Sequence, residues 1–113
     1  MSAEEYPIEI DVDGVVGLQS AGESFLFLDC REQSEYETAC IPGTLLLPMS
    51  EIQERLGELT SHREERVVVH CHHGGRSLRV ARWLRGQGFH QAQSLAGGID
   101  AWSERVDDSI PRY

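Results

Sequence analysis

Three unbroken apolar runs give the chain its frame: Phe25-Leu26-Phe27-Leu28, the leucines of Thr44-Leu45-Leu46-Leu47, and Val67-Val68-Val69. The continuous rather than alternating Val67–Val69 and Phe25–Leu28 predict buried strands, as in a parallel sheet covered by helices, and Thr44–Leu47 reads as a third strand. Two weaker strand candidates flank them, Ile8-Glu9-Ile10 and the short, polar Ala92–Leu95. Helix-period segments fall between the strands. Asp11 or Asp13 can cap a helix over Gly14–Gln19, although Gly14 and Gly17 weaken it. Gln33–Ala39 predicts a short helix, and Pro42-Gly43 a turn before the third strand, which Pro48 closes. Ser50 can cap a helix over Glu51–Leu59, with Ile52, Leu56 and Leu59 on one face and Glu51 paired to Arg55. Ser77 is the predicted N-cap of a helix over Leu78–Arg85. Its Val80, Ala81, Trp83 and Leu84 share an apolar arc opposite Arg79, Arg82 and Arg85. Gly97-Gly98 opens a last helix running to Val106, and residues 107–113 read as an irregular tail.

Strands alternating with helices predict an α/β, three-layer domain with a mainly parallel five-stranded sheet and helices on both faces. The 113 residues suffice for one domain, with residues 1–7 as an N-terminal extension. No apolar stretch is long enough to span a membrane, and the acidic start Met1-Ser2-Ala3-Glu4-Glu5-Tyr6-Pro7 is no secretory signal; a cytoplasmic location is expected. The net charge of −9 argues against nucleic acid or an anionic membrane as a partner. All ten basic residues are arginine. Three cysteines, at 30, 40 and 71, form no Cys-x-x-Cys pair and no disulfide framework, which suits a reducing compartment.

The chemistry gathers at Arg66-Val67-Val68-Val69-His70-Cys71-His72-His73-Gly74-Gly75-Arg76-Ser77. Here a strand ends at a cysteine, a glycine-containing loop follows, and a helix begins. Ligands of open α/β sheets collect at the carboxyl ends of the strands. A helix start offers unpaired N–H groups and partial positive charge, which favour a thiolate over a thiol. Gly74 and Gly75 let the loop curl with its amides inward, making a small anion-binding bowl around the sulfur.

Cys71-His72-His73-Gly74-Gly75-Arg76-Ser77, then Trp83-Leu84, Gly88-Phe89 and Leu95-Ala96-Gly97-Gly98-Ile99-Asp100-Ala101-Trp102, resembles the rhodanese sulfurtransferases. Asp29-Cys30-Arg31-Glu32 and Cys40-Ile41-Pro42-Gly43-Thr44 resemble two upstream segments of that family, with Cys40 where histidine is usual. The likeness runs from about Ile8 to the end of the chain. It implies a catalytic Cys71 that carries a sulfane sulfur as a persulfide, cradled by the loop residues His72, His73, Gly74, Gly75, Arg76 and Ser77. Four residues between Cys71 and Arg76 match the sulfur-transferring members, where the phosphatase and arsenate reductase relatives have five. The tail Asp107-Asp108-Ser109-Ile110-Pro111-Arg112-Tyr113 is similar to the end of the rhodanese domain in adenylyltransferases that charge ubiquitin-like sulfur carriers.

The resemblance makes thiosulfate or a persulfide, small or protein-borne, the expected donor, and a sulfur-carrier protein a candidate partner in thiocofactor or molybdopterin synthesis. No cofactor is expected. The rival is a non-catalytic binding module that keeps the fold as a scaffold. Arg76 can contact substrate or make a loop-to-core salt bridge. One of His72 and His73, if protonated, can draw in an anion. No metal is expected from His70, Cys71, His72 and His73, because adjacent residues of one loop rarely converge on a tetrahedral ion. Asp29 and Arg31 are expected to brace the loop and the sheet edge, and Cys30 to be a small buried residue. Cys40 is expected at the opposite end of the sheet. The Arg79, Arg82 and Arg85 stripe reads as a solvated face or a dock for an acidic partner. The double glycine predicts a close backbone approach, and Trp102 core packing.

Overall fold

The computed structural model describes residues 6–113, so most of the predicted extension 1–7 lies outside the described residues. In chain order the elements are β1 (Glu9–Ile10), α1 (Val12–Ser20), β2 (Leu26–Asp29), α2 (Gln33–Thr38), β3 (Leu45–Leu46), a 3₁₀ helix (Leu56–His62), β4 (Val67–His70), α3 (Gly75–Gly86), β5 (Ala92–Leu95) and α4 (Gly98–Arg105). The five strands form one sheet in the order β1-β5-β4-β2-β3, with every pairing parallel. The fold is thus the expected α/β architecture, and β4 lies at its centre with β2 and β5 on either side.

Alternate strand residues serve two cores. Leu28, Val67, Val69 and Ala92 pack with Val80, Ala81 and Leu84 of α3 and with Leu59 of the 3₁₀ helix. Phe27, Val68 and Leu95 pack on the other face with Val12, Val15 and Leu18 of α1 and Ile99 and Trp102 of α4. Trp102 is core, as predicted, and meets Phe27 edge-on at 5.6 Å. Asp11 caps α1, its Oδ1 accepting from the Gly14 amide at 2.8 Å.

Two predicted features differ. The helix over Glu51–Leu59 is instead a run of turns leading into the 3₁₀ helix. Ser50 does not cap it, because its hydroxyl is spent on the Glu32 carboxylate. The Glu51–Arg55 pair forms nonetheless, at 3.0 Å. The short, polar strand predicted over Ala92–Leu95 forms at those bounds as β5 and is wholly buried, Ser94 included. The basic stripe is broken: Arg79 and Arg82 are exposed, but Arg85 turns back to donate to the carbonyls of Ala92, Tyr6 and Pro7. It binds the chain start to the sheet.

Candidate active site

β4 ends at His70, and Cys71 is the first residue beyond it. The backbone then bends sharply at Gly74, whose φ of +114° is open to glycine and strained for other residues. This left-handed residue is itself the N-cap, so α3 begins at Gly75, three residues before the Leu78 start read from the sequence. Ser77, the predicted cap, lies inside the first turn and faces inward, where it is fully buried.

The result is a pocket for one sulfur. The amides of Gly74 and Ser77 donate to Cys71 Sγ at 3.1 and 3.3 Å. The thiol lies 3.4 Å from Ser77 Oγ, which is within 3.2 Å of the Gly74 carbonyl and 2.7 Å of Ser94 Oγ. Of the loop amides expected to point inward, these two make hydrogen bonds to the sulfur. A second helix holds the loop from behind. At the start of α4 the amides of Ile99 and Asp100 donate to the carbonyls of Cys71 and His72 at 2.9 and 3.1 Å. Gly98 makes that approach close: a Cβ there would stand 2.4 Å from the Cys71 oxygen and 2.5 Å from that of His72. The double glycine serves the close approach read from the sequence.

The sulfur at the centre of this bowl is walled off from solvent: Cys71 is only 1% exposed. The rim is crowded by groups from distant parts of the chain. Arg76 donates from both terminal nitrogens to Glu35, at 2.7 and 2.8 Å, a loop-to-helix salt bridge that leaves the guanidinium largely satisfied. That pairing, opposed by partial burial, holds the Glu35 carboxyl down to about 2. The tail is irregular but not loose. Ile110 is buried in the core, and the Tyr113 ring stacks on His72 at 3.9 Å and 5°. The Tyr113 hydroxyl accepts from Arg31 at 2.8 Å and donates to Glu35 at 2.9 Å.

Asp29 and Arg31 lie at the end of β2, the strand that pairs with β4. They form a fully buried pair, with Nε and Nη2 of Arg31 on the two carboxylate oxygens at 2.9 and 2.7 Å. Arg31 also donates to the carbonyls of Glu35 and Ala39, tying the end of β2 to α2. Neighbouring His70 is pushed down to about 4, chiefly by burial, and stays neutral. Cys30 is buried, and burial drives its thiol far above the usual range.

One placement needs correction. His72 and His73 do converge: their rings stack at 3.9 Å, and Asp100 of α4 joins them with a potential ligand atom of each residue within 4.8 Å of the others.

The sequence reading therefore found Cys71, Gly74 and Ser77 around the sulfur, and His72, His73, Gly75 and Arg76 on the rim. It missed Glu35, Ser94, Asp100 and Tyr113. Only Ser94 carried a signal, as a hydroxyl in a strand that had to be buried.

Residues 14–105 match the family described as Rhodanese-like domain. A chloroplastic rhodanese-like/PpiC domain-containing protein 12 of Arabidopsis thaliana is 41% identical over 88 residues, covering 76% of this chain and 29% of its own length. A sulfurtransferase of Allochromatium vinosum is 35% identical over 95 residues, 84% of this chain and 87% of its own. The chain thus spans less than a third of the plant relative and most of the bacterial one. A rhodanese-related protein from Thermoplasma volcanium superposes with a TM-score of 0.77 at 27% identity, covering 88% of this chain and 94% of that one.

Proposed function

The chain belongs to the rhodanese-like domain family, whose members support sulfurtransferase activity in general, and on that premise we propose that Cys71 carries a sulfane sulfur between a small anionic donor and a thiophilic acceptor. The Cys71 thiolate attacks the outer sulfur of thiosulfate or of a persulfide. The old S–S bond breaks, and sulfite or a thiolate leaves with its electron pair. The enzyme keeps Cys71-S-S⁻. An acceptor thiolate, or cyanide in an assay, then attacks the terminal sulfur and returns Cys71 to the thiolate. The persulfide needs no cofactor.

The observation that carries this reading is the convergence of the Gly74 and Ser77 amides, both donating, on one sulfur, which also lies against Ser77 Oγ. Fixed donors of this kind stabilise charge on sulfur without reorganising at the moment of reaction. The tight loop between Cys71 and Arg76 favours a single terminal sulfur over a tetrahedral phosphate. The tail's likeness to carrier-charging enzymes makes a small sulfur-carrier protein our candidate acceptor. Free Cys30, Cys40 and Cys71 suit a reducing, cytoplasmic setting.

One observation favours a second reading. Cys71 is 1% exposed, as in a binding module that keeps the fold without the chemistry. Intact mass after incubation with thiosulfate separates the two. Transfer predicts one added sulfur, its loss to cyanide as thiocyanate, and no gain in Cys71→Ser. An unchanged mass in the wild-type chain leaves the binding module.

A further inference from the structure

We propose that His72, His73 and Asp100 form a binding site for a late first-row divalent cation, Zn²⁺ foremost, on the rim of the loop that carries Cys71. The proposal is independent of sulfur transfer.

The three residues come from two elements that the backbone fixes together. The Asp100 amide donates to the His72 carbonyl at 3.1 Å, and the neighbouring Ile99 amide to that of Cys71 at 2.9 Å. The stacked imidazoles, 26° from parallel, bring one potential ligand atom each to within 4.8 Å of a carboxylate oxygen of Asp100. His73 Nε2 stands 4.0 Å from Asp100 Oδ2. Two imidazoles and a carboxylate suit zinc, and three protein ligands leave a coordination position free for water or a small anion.

A second observation points the same way. His72 Nε2 is buried yet has no hydrogen-bond partner among the described residues. Buried polar atoms are normally satisfied, and a metal ion would satisfy this one. Ligand atoms about 2.0–2.1 Å from a tetrahedral ion stand roughly 3.3 Å apart, so the cluster must contract slightly. It has the freedom to do so, because the His73 side chain is 67% exposed.

What holds Asp100 now is Arg112, which donates to its two oxygens at 2.9 and 3.1 Å. Arg112 is itself more than half exposed, and exposed ion pairs are weak and readily exchanged. Cation binding therefore exchanges a solvated guanidinium for the metal and competes with the tail for the same carboxylate. The cation and the Arg112 side chain act as rivals for the Asp100 carboxylate.

The test is a Zn²⁺ titration of the full chain against a chromophoric chelator, in a Cys71→Ser background to remove the thiophilic ligand. One equivalent should bind in the micromolar range. His73→Ala and Asp100→Asn should each weaken binding tenfold or more, and Arg112→Ala should strengthen it severalfold. Absence of stoichiometric binding overturns the proposal. So does binding that ignores His73→Ala and Asp100→Asn, or that weakens in Arg112→Ala.

Discussion

Both oxygens of Glu35 close on the terminal nitrogens of Arg76, at 2.7 and 2.8 Å. On the proposed function, the arginine offered to an incoming anion, in the first turn of α3, is already paired with a carboxylate supplied by α2. Glu35→Gln removes the competing charge while keeping a side chain of the same shape. Steady-state kinetics with thiosulfate should show KM lowered severalfold with kcat little changed. A raised KM would mean that Arg76 works only when Glu35 aims it.

Ser77 Oγ lies between Cys71 Sγ and Ser94 Oγ, 3.4 Å from one and 2.7 Å from the other. Ser94 touches no reacting atom, so it is a positioning residue acting through Ser77. Losing one buried hydrogen bond is worth about 1 kcal/mol, or roughly fivefold in rate. Ser94→Ala should lower kcat/KM by that factor and shift its pH profile, whereas Ser94→Thr should retain most of the activity. An unshifted profile would make Ser94 merely structural.

The Tyr113 ring lies flat on His72 at 3.9 Å, and its hydroxyl bridges Arg31 and Glu35. Tyr113→Ala removes stack and bridge together and should loosen the rim. Iodoacetamide should then alkylate Cys71, 1% exposed in the intact chain, several times faster. Tyr113→Phe, which keeps the stack, should fall between the two. Equal rates in all three proteins would show that the tail does not control access.

Acid should weaken the fold in two windows. Burial lowers His70 from 6.5 to about 4. Between those values the unfolded chain takes up a proton that the native state refuses, so stability falls as pH drops through the interval, by roughly 3 kcal/mol. Glu35 is lowered from 4.5 to about 2 by its bond to Arg76, so its contribution is present above pH 4.5 and lost below. Urea unfolding at stepped pH should show both slopes. His70→Leu should flatten the upper one only.

Gly98 has a φ of +58° and no room for a Cβ against the carbonyls of Cys71 and His72. Gly98→Ala should cost roughly 3 kcal/mol, combining left-handed strain with overpacking against backbone that cannot yield. Thermal unfolding measures the loss. Gly17→Ala, where nothing lies within 4 Å, is the matched control and should leave stability unchanged or raise it.

The elements whose burial is dictated by composition were legible in advance. Val67-Val68-Val69 and Phe25–Leu28 have no polar face to give water, so they had to be central strands. The weakly patterned segments were not. Glu51–Leu59 has apolar spacing for a helix, but Ser50 is drawn off by Glu32, eighteen residues upstream. Ser77 has the chemistry of a cap, but the left-handed turn at Gly74 starts the helix without it.

By itself the sequence determined a parallel α/β sheet with a cysteine at the end of its middle strand, because local periodicity and glycine placement are properties of neighbouring residues. Only the tertiary structure decided what surrounds that cysteine. Glu35, Ser94, Asp100 and Tyr113 reach the site from α2, β5, α4 and the tail. A polar side chain carries no periodic signal that names its partner across the sheet. Ion pairing, stacking and solvent access are set by distances that exist only once the strands have taken their order.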